Sequence, residues 1–500
     1  MIAIRSEPVD AVYRSSGVSH YNGNPLTEAL PPILDLESLT KRFANRVDPT
    51  PEELKEPHYV RMHCVNRLYS IVQPVPFYFA AWESFDQMLR GGYVGRNFLE
   101  ACVQRHIYGY DEPSEARRDD SWEVFKATSG VMCITGLSGI GKSTLIRQFL
   151  MKGYPQIIRH KSYGGKAVSE IQLVWLYFEC SHDGSLKQFC LEFFDALDKV
   201  LGTNYGERFA RLGIPALLRR MRQLCLTYHI GVLVIDELQH ISAAKAGGKE
   251  LLLNFFDNLV NIVGIPLVLV GTYAATSMFS DAIRHSRRVS GDGLQDFVRP
   301  ARGSGAWTLL VETVWAAQWF TKKNELSPAR INLLYDLSQG ITDVLVKLMV
   351  LSQRRALRAK REEITDADLR LVAANELSLL QPALLALRKG TVRALRLYED
   401  LLPTKEQVEL HILAIERSTQ LTTDEQLEML RRQRSAGVEP ASEMSGTAVS
   451  HPDQSEHAAH EVIRAIGATN SLLKSVGSKS VYDDLMSRGH IAEFEYGICD

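Results

Sequence analysis

The chain has 500 residues, 57 Lys and Arg against 59 Asp and Glu, a formal net charge of -2 and 45% hydrophobic residues. These values exclude a wholly disordered chain and a disulfide-stapled miniprotein, and the near-zero charge means that any nucleic-acid site must be a local patch. Seven cysteines without a CxxC pair, no apolar leader and no apolar run of about 18 residues predict a soluble, reduced, cytoplasmic protein without a membrane span.

The first 310 residues predict three successive regions. Residues 1–55 are rich in Pro, Ser, Asn and Asp and predict an extended N-terminal arm with one short helix near 33–43, and residues 56–125 predict a helical N-terminal extension. Residues 126–310 alternate apolar runs with stretches of helical spacing, which is typical of an α/β core with a parallel sheet covered by helices. The apolar runs are 131–135, 173–178, 232–235 and 266–270, and the clearest helical stretches are 186–201 and 214–228.

The rest of the chain predicts helices and one long linker. From 311 to 400 the strand signals fade, and periodicity predicts a helical domain with helices at 330–337, 342–360 and 366–379. Residues 401–458 predict a charged helix and then a flexible linker, which is small and polar over 434–458. A last apolar piece at 459–500 completes a mainly helical tail, and we expect this C-terminal module to bind a protein partner.

The strongest chemical signal is the motif G-x-x-x-x-G-K-S, which begins at Gly136 and follows the apolar run 131–135. A strand, a glycine-rich loop and a helix in this order form a phosphate-binding loop, whose backbone N–H groups meet phosphate oxygens at the helix N-terminus. Lys142 is expected to reach the β- and γ-phosphates of ATP, and the Ser143 hydroxyl to ligate Mg²⁺. The predicted nucleotide-binding residues are Gly136, Ser138, Gly139, Ile140, Gly141, Lys142, Ser143 and Thr144.

Two other predicted strands end in polar residues suited to phosphoryl transfer. Asp236 and Glu237 follow the run 232–235, and Thr272 follows the run 266–270. The carboxyl ends of parallel strands form the ligand-binding edge of an open sheet, so these side chains are expected beside the phosphate-binding loop. Asp236 is predicted to hold Mg²⁺, and Glu237 to polarise the attacking water as general base. Thr272 is predicted to orient that water or sense the γ-phosphate, with the capping of a turn as the alternative.

A cluster of arginines follows the last predicted strand. It contains Arg284, Arg287 and Arg288, with Arg299 and Arg302 beyond it. In ring-forming ATPases an arginine from a neighbouring subunit neutralises charge in the transition state, and Arg287 or Arg288 could supply that group. A solvated basic surface is the alternative interpretation.

These motifs, together with the helical domain that follows them, resemble an AAA+ P-loop ATPase. More specifically, the chain resembles TnsC, the ATP-dependent regulator of heteromeric cut-and-paste DNA transposons, with the shorter TniB ATPases as relatives. The resemblance covers roughly residues 55–375. Four stretches carry it, namely 58–63 with 90–97, 178–187, 235–239 with 271–273, and 340–348.

The resemblance implies a function. TnsC-like proteins bind ATP, assemble into rings or helical filaments around duplex DNA, and connect target-selection proteins of the TniQ type to the transposase. ATP hydrolysis disassembles the filament or limits its length. In this chain the resemblance assigns the nucleotide to Lys142, Ser143, Asp236, Glu237 and Thr272, and the trans arginine to Arg287 or Arg288. It places DNA-backbone contacts at Lys187 with Ser185, where a serine that caps a helix is the alternative.

One position departs from the AAA+ pattern. Many AAA+ proteins carry an arginine three residues after the glycine that corresponds to Gly340, and here that position holds Asp343. Lys347, one helical turn later, is the candidate to replace it. Two other function classes stay open at this point. One is an AAA+ helicase loader or initiator-like ATPase, and the other is a signalling NTPase that responds to a protein ligand and ignores DNA.

Overall fold

The computed structural model describes residues 7–101, 103–104, 129–180, 185–242, 246–285, 293–322, 324–389, 398, 402 and 405–418. The chain divides into two units, Met1–Gln420 and Leu421–Asp500, and every described residue belongs to the first. The predicted linker at 434–458 and the C-terminal module at 459–500 therefore lie outside the described residues, as do Arg287 and Arg288.

The main sheet has five strands in the order β5-β6-β7-β2-β8, and all of its strand pairs are parallel. Its central strands are apolar and fully buried, as expected for a sheet covered on both faces. The predicted α/β core with a parallel sheet is thus confirmed. The strands of the whole chain are β1 (Val9–Asp10), β2 (Val131–Thr135), β3 (Ile157–Tyr163), β4 (Lys166–Leu173), β5 (Trp175–Glu179), β6 (Val232–Asp236), β7 (Leu267–Val270) and β8 (Leu294–Asp296).

A second sheet of three strands, in the order β1-β3-β4, was not expected from the sequence. The hairpin of β3 and β4 carries charged and polar residues on its exposed face, so it lacks the apolar run that indicates a central strand. The predicted strand at 173–178 is in fact the junction of the two sheets. Val174 lies between β4 and β5. Its N–H donates to the carbonyl of Gln156, and its carbonyl accepts from the N–H of Val232.

Helices cover the main sheet and form the domain that follows it. Those up to the end of the core are α1 (Pro25–Glu28), α2 (Leu36–Phe43), α3 (Pro51–Lys55), α4 (His58–Cys64), α5 (Pro76–Val94), α6 (Lys142–Gln148), α7 (Leu186–Leu201), α8 (Tyr205–Phe209), α9 (Ile214–Thr227), α10 (Gln239–Ser242), α11 (Ala246–Asp257) and α12 (Thr276–His285). The later ones are α13 (Gly305–Ala316), α14 (Pro328–Ser338), α15 (Thr342–Arg358), α16 (Asp366–Ala374), α17 (Gln381–Arg388) and α18 (Lys405–Ser418).

The N-terminal segment differs from the extended arm that its composition predicts. Residues 7–55 include α1, α2 and α3, and β1 pairs with β3. Leu26, Leu30 and Phe43 are buried, and the Phe43 ring lies 5.0 Å from that of Trp82 and 5.2 Å from that of Phe149. A few large apolar side chains therefore anchor a polar segment to the core, which overall composition cannot reveal.

The predicted helical domain is observed, and an ion pair between the buried Arg61 and the half-buried Glu362 joins it to α4. Arg61 of α4 donates to both carboxylate oxygens of Glu362, at 2.8 and 2.6 Å, and to the carbonyl of Trp319 at 2.9 Å. The hydrogen bond from Arg61 lowers the pKa of Glu362 to about 2, against the opposing effect of burial. The stretch 58–63 thus has a structural role in holding α4 against the helical domain.

Two further observations concern only the part of the chain that the structure describes. The described cysteines Cys64, Cys133, Cys180, Cys190 and Cys225 carry no disulfide. Within the described ranges, no helix is both long enough and apolar enough to span a bilayer.

Candidate nucleotide-binding site

The glycine-rich loop joins β2 to α6 and adopts the curled backbone that a phosphate-binding loop requires. Gly139 and Gly141 have φ angles of 77° and 112°, a region that L side chains rarely adopt. A Cβ on Gly139 would also lie 3.1 Å from Ile341 and 3.2 Å from Asp343 at the start of α15. The loop therefore needs glycine here for two reasons, its own turn and the close approach of the helical domain.

Lys142 is held inside this loop by the loop itself. The side chain is only 8% exposed, and Nζ donates to the carbonyls of Gly136 at 2.8 Å and Leu137 at 3.0 Å. Phosphate oxygens form stronger, charge-assisted hydrogen bonds with an ammonium group than neutral carbonyls do. A bound nucleotide can therefore draw Lys142 away from contacts that keep it satisfied without one.

Asp236 ends β6 and lies against the first turn of α6. Its carboxylate is 2% exposed and accepts hydrogen bonds from the Tyr177 hydroxyl at 2.9 Å, from the Glu237 N–H at 2.8 Å and from Ser143. Burial raises the pKa of Asp236, the neighbouring Glu237 carboxylate raises it further, and the hydrogen bond from Ser143 opposes both. A cation at this position would relieve the buried negative charge.

The paired oxygens of Ser143 and Asp236 fit the magnesium ion that a P-loop site implies. Hydroxyl and carboxylate oxygens are the hard ligands that Mg²⁺ prefers, and it usually keeps several waters and takes phosphate oxygens as further ligands. Ser143 lies close enough to Asp236 to influence the pKa of its carboxylate, so the two side chains are suited to hold one common ion. The sequence predicted this pair, but not the Tyr177 hydroxyl that supports Asp236.

Glu237 and Thr272 are linked through a third residue. Glu237 has a φ of 56°, and its carboxylate accepts a hydrogen bond from the side-chain amide of Gln239. The Gln239 carbonyl oxygen in turn accepts from the Thr272 N–H at 3.2 Å. The Thr272 hydroxyl caps the short turn Tyr273–Ala275 by accepting from the Ala274 N–H, and Thr272 also lines the cleft. Thr272 therefore caps this turn, as the alternative interpretation predicted, and it also lies in the site.

One cleft of about 830 Å³ is lined by Glu237, Thr272 and the phosphate-binding loop, including Lys142 and Ser143. The phosphate-binding loop, Glu237 and Thr272 form one side, and α15 forms another. Later parts of the chain also reach the cleft, and the Tyr398 hydroxyl donates to the Ser138 carbonyl at 3.1 Å. Residues that line the cleft but were not predicted include Asn66, Tyr69, Arg147, Glu179, Arg354, Tyr398, Val408 and Ile412. They come from segments far apart in sequence, so no local pattern marks them.

The helical domain meets the loop at the position where the AAA+ arginine is missing. The Asp343 N–H donates to the Gly139 carbonyl at 3.0 Å, so α15 contacts the loop through its backbone. Lys347 forms an ion pair with Asp343 at 2.6 Å, and both side chains line the cleft. Lys347 thus places a cation in the cleft, one turn after the usual position.

The predicted DNA-contact residues lie at the start of α7. The Ser185 hydroxyl accepts from the Gln188 N–H at 3.1 Å and so caps the helix, while Lys187 is exposed. Of the arginines, Arg299 donates to the carbonyls of Gln339 and Leu387, and Arg302 pairs with Asp336. These last two arginines therefore support the fold, and the candidates Arg287 and Arg288 lie outside the described residues.

Comparison with known proteins gives one family match and several similar solved structures. Residues 126–279 match the family model of an AAA domain. A search of curated proteins finds no match. Solved structures with a similar fold include a Walker-type ATPase of Pyrococcus abyssi, with 15% identity over 61% of this chain and 84% of that chain and a TM-score of 0.33. Others are the ADP form of the Aeropyrum pernix ORC2 protein (14%, 62% and 90%, TM-score 0.35) and Drosophila ORC bound to DNA (14%, 81% and 88%, TM-score 0.37).

The family match spans β2, the phosphate-binding loop, β6 and β7, which are the elements that build the site. The sheet order, the loop and the buried acid at the end of β6 are consistent with it. Residues 126–279 are therefore similar to an AAA domain, and this part of the chain has the AAA+ P-loop fold.

Proposed function

We propose that this protein is an ATP-dependent, DNA-binding AAA+ regulator of DNA transposition that oligomerises on target duplex DNA. The observation that carries the proposal is the position of Lys142, Ser143 and Glu237 in one cleft, with the buried Asp236 carboxylate beside Ser143. The finer part, transposition, is supported by the resemblance of four sequence stretches to TnsC. In this proposal the protein links a target-selection protein of the TniQ type to the transposase subunits.

The chemistry proposed for the cleft is hydrolysis of ATP to ADP and phosphate. Magnesium, held by Ser143 and Asp236, would neutralise charge on the β- and γ-phosphates. Lys142 leaves its loop carbonyls and binds the same phosphates. Glu237 accepts a proton from the attacking water, whose oxygen bonds to the γ-phosphorus while the bond to the β–γ bridging oxygen breaks and its electron pair stays with ADP. Thr272 contacts the γ-phosphate side, and Arg287 or Arg288 of a neighbouring copy adds positive charge.

Assembly on DNA is the step that ATP is proposed to control. The ATP-bound protein forms a ring or helical filament on the duplex, and hydrolysis returns it to the dispersed state. Lys187 is exposed at the capped start of α7, where a cation can contact a phosphate of the DNA backbone without any desolvation of a buried group. The 459–500 module is the proposed docking segment for a transposase subunit.

Electron microscopy of the full chain with duplex DNA tests this proposal. Samples are imaged with and without a non-hydrolysable ATP analogue, at low and at high salt, with Lys142→Ala as the nucleotide control and Lys187→Ala as the DNA control. The proposal predicts rings or filaments only with both DNA and analogue, fewer at high salt, and none with Lys142→Ala.

Two outcomes would contradict it. Particles that stay dispersed with DNA and analogue would exclude assembly on DNA and favour the signalling NTPase, whose ATPase activity would ignore DNA. A small closed ring that loads a replicative helicase and does not extend along the duplex would favour the loader or initiator class. Normal assembly by Lys187→Ala would remove only the assignment of Lys187.

A further inference from the structure

Gln239 is placed between the two residues that are expected to handle the attacking water. Its side-chain nitrogen donates to Oε2 of Glu237, and its side-chain oxygen accepts from the backbone N–H of Thr272 at 3.2 Å. One carboxamide therefore connects the end of β6 to the end of β7. Neither the sequence motifs nor the family match assigns a role to this residue.

The orientation of this carboxamide is fixed by chemistry. A backbone N–H can only donate a hydrogen bond, so the group that faces Thr272 must be the Gln239 oxygen. The amide nitrogen must then face Glu237, where it donates to the ionised carboxylate. Of the two Glu237 oxygens, Oε2 is the one that this bond holds, which defines the direction of the carboxylate.

The backbone around Gln239 leaves room for its side chain. A Cβ on Gly271 would lie 2.9 Å from the Gln239 oxygen, 3.1 Å from the Cβ of Ala275 and 3.2 Å from the ring of Phe279. Glu237 adopts a φ of 56°, a conformation that is uncommon for residues other than glycine and is retained where the surroundings enforce it. The glycine on one side and the turn on the other leave Gln239 in contact with both strand ends.

We infer that Gln239 is a positioning residue for ATP hydrolysis. It holds the Glu237 carboxylate in the direction from which it accepts the proton of water, and it couples that direction to the backbone position of Thr272. The inference rests on the proposed function, because it assigns a role within the same ATPase site. It concerns the rate of hydrolysis and leaves nucleotide binding to Lys142, Ser143 and Asp236.

The test compares Gln239→Met, which keeps the volume and loses both hydrogen bonds, with Gln239→Glu, which sets a second carboxylate against Glu237. Gln223→Met on α9, a glutamine that accepts a hydrogen bond from Arg220, is the matched control. Turnover of ATP is measured with duplex DNA present, and affinity is measured with a fluorescent ATP analogue. We expect kcat to fall about 10- to 100-fold in both Gln239 variants, with the affinity for the analogue and the Tm unchanged.

A double-mutant cycle separates positioning from a merely structural role. If Gln239 acts through Glu237, Gln239→Met causes no further loss of single-turnover rate in the Glu237→Gln background. An equal loss in both backgrounds, or a wild-type kcat in Gln239→Met, would overturn the inference. Gly271→Ala displaces Gln239 without changing it, so it must lower kcat in the same way; a wild-type kcat there also contradicts the inference.

The result for the wild-type protein distinguishes this inference from the proposed function. A wild-type protein that binds the analogue and never hydrolyses ATP would overturn the ATPase itself. If the wild-type protein hydrolyses ATP and Gln239→Met does so at the same rate, only the role of Gln239 is overturned.

Discussion

The two edges of the main sheet both bury charged side chains, but they satisfy them in different ways. At the carboxyl edge lie Lys142, 8% exposed, and Asp236, 2% exposed. At the amino edge lies Arg96, 3% exposed, at the end of α5. Buried charges are costly in either place unless they are paired, so the identity of the partners distinguishes a binding site from a structural contact.

At the amino edge every partner is fixed. Arg96 donates to the carbonyls of Gly92 at 2.7 Å, Ile230 at 2.5 Å and Gly231 at 3.4 Å, and its guanidinium lies 4.7 Å from the ring of Tyr93. Burial lowers the pKa of Arg96 to about 10. The guanidinium is enclosed by these carbonyls and by the Tyr93 ring, so it cannot turn away from them toward a ligand. Arg96 thus holds α5 to the sheet, which gives the stretch 90–97 a structural role.

At the carboxyl edge the partners can be exchanged. Lys142 contacts carbonyls of a glycine-rich loop, and Asp236 contacts the hydroxyls of Ser143 and Tyr177. Hydroxyl groups can redirect their hydrogen bonds, and the ammonium can move to a stronger acceptor. The comparison teaches that a buried charge indicates a ligand site when its present partners can yield to a ligand.

The largest expected effect sharpens the comparison at the carboxyl edge. Glu237→Gln removes the proposed general base and should lower ATP turnover by about 10²- to 10⁴-fold while ATP still binds. The unfolding temperature should not change, because Glu237 is only half-buried. Steady-state phosphate release and thermal unfolding measure both. Because nucleotide stays bound, assemblies on DNA should persist, and their rapid disassembly would contradict the assignment of Glu237.

The next largest effect is expected at the amino edge, where a substitution should lower the stability and leave the ATP affinity unchanged. Arg96→Met leaves the carbonyls of Gly92, Ile230 and Gly231 without their donor and should cost about 3–5 kcal/mol of unfolding free energy. Urea unfolding measures this, with the exposed Arg219→Met as control. The folded fraction should bind ATP with wild-type affinity. A large loss of affinity with little loss of stability would place Arg96 in the binding machinery and break the comparison.

A smaller, pH-dependent effect is expected at the ion pair of Arg61 with Glu362. The pKa of Glu362 is lowered to about 2, so the pair stabilises the fold fully above about pH 5, and that contribution is lost as the pH falls toward 2. Arg61→Met should therefore cost about 2–3 kcal/mol at pH 7 and less at pH 4. Urea unfolding at both pH values checks this, against Lys161→Met in the exposed pair with Asp10. A cost that does not depend on pH would show that packing and not charge holds this contact.

The smallest effect concerns the helical domain. Lys347→Ala should weaken ATP affinity about 5- to 20-fold, because Lys347 is the cation that α15 presents near the loop through its pair with Asp343. Titration with a fluorescent ATP analogue measures the change, with the exposed Lys389→Ala as control. Unchanged affinity and unchanged turnover would show that Lys347 does not replace the missing arginine.

The sequence predicted the main sheet well because its strands are continuous apolar runs. The predictions at 131–135, 232–235 and 266–270 match β2, β6 and β7 to within a residue at each end. The β3–β4 hairpin was not predicted, since its residues are mostly exposed and mixed in polarity. The helices of the N-terminal segment were mostly missed for a related reason, because a few buried apolar residues, among them Leu26, Leu30 and Phe43, outweigh a polar composition.

The residues of the site were likewise predicted only where a local sequence pattern marks them. Lys142, Ser143 and Asp236 were predicted because each lies in a motif with fixed spacing, and the structure brings them together. Tyr177 was missed because a tyrosine inside an apolar strand is usually part of the core. Gln239 was missed because its role depends on a contact with Thr272, which is 33 residues away in sequence.

The most direct test of the account is ATP binding by the wild-type protein and by Lys142→Ala, measured with a fluorescent ATP analogue and Mg²⁺ at equal protein stability. The account predicts saturable binding by the wild type, weakened about 30- to 100-fold in the variant through loss of charge-assisted hydrogen bonds to phosphate, with the same Tm for both proteins without nucleotide. Equal binding by the two proteins, or no binding by the wild type, would contradict the claim that the exchangeable contacts at the carboxyl edge form a nucleotide site.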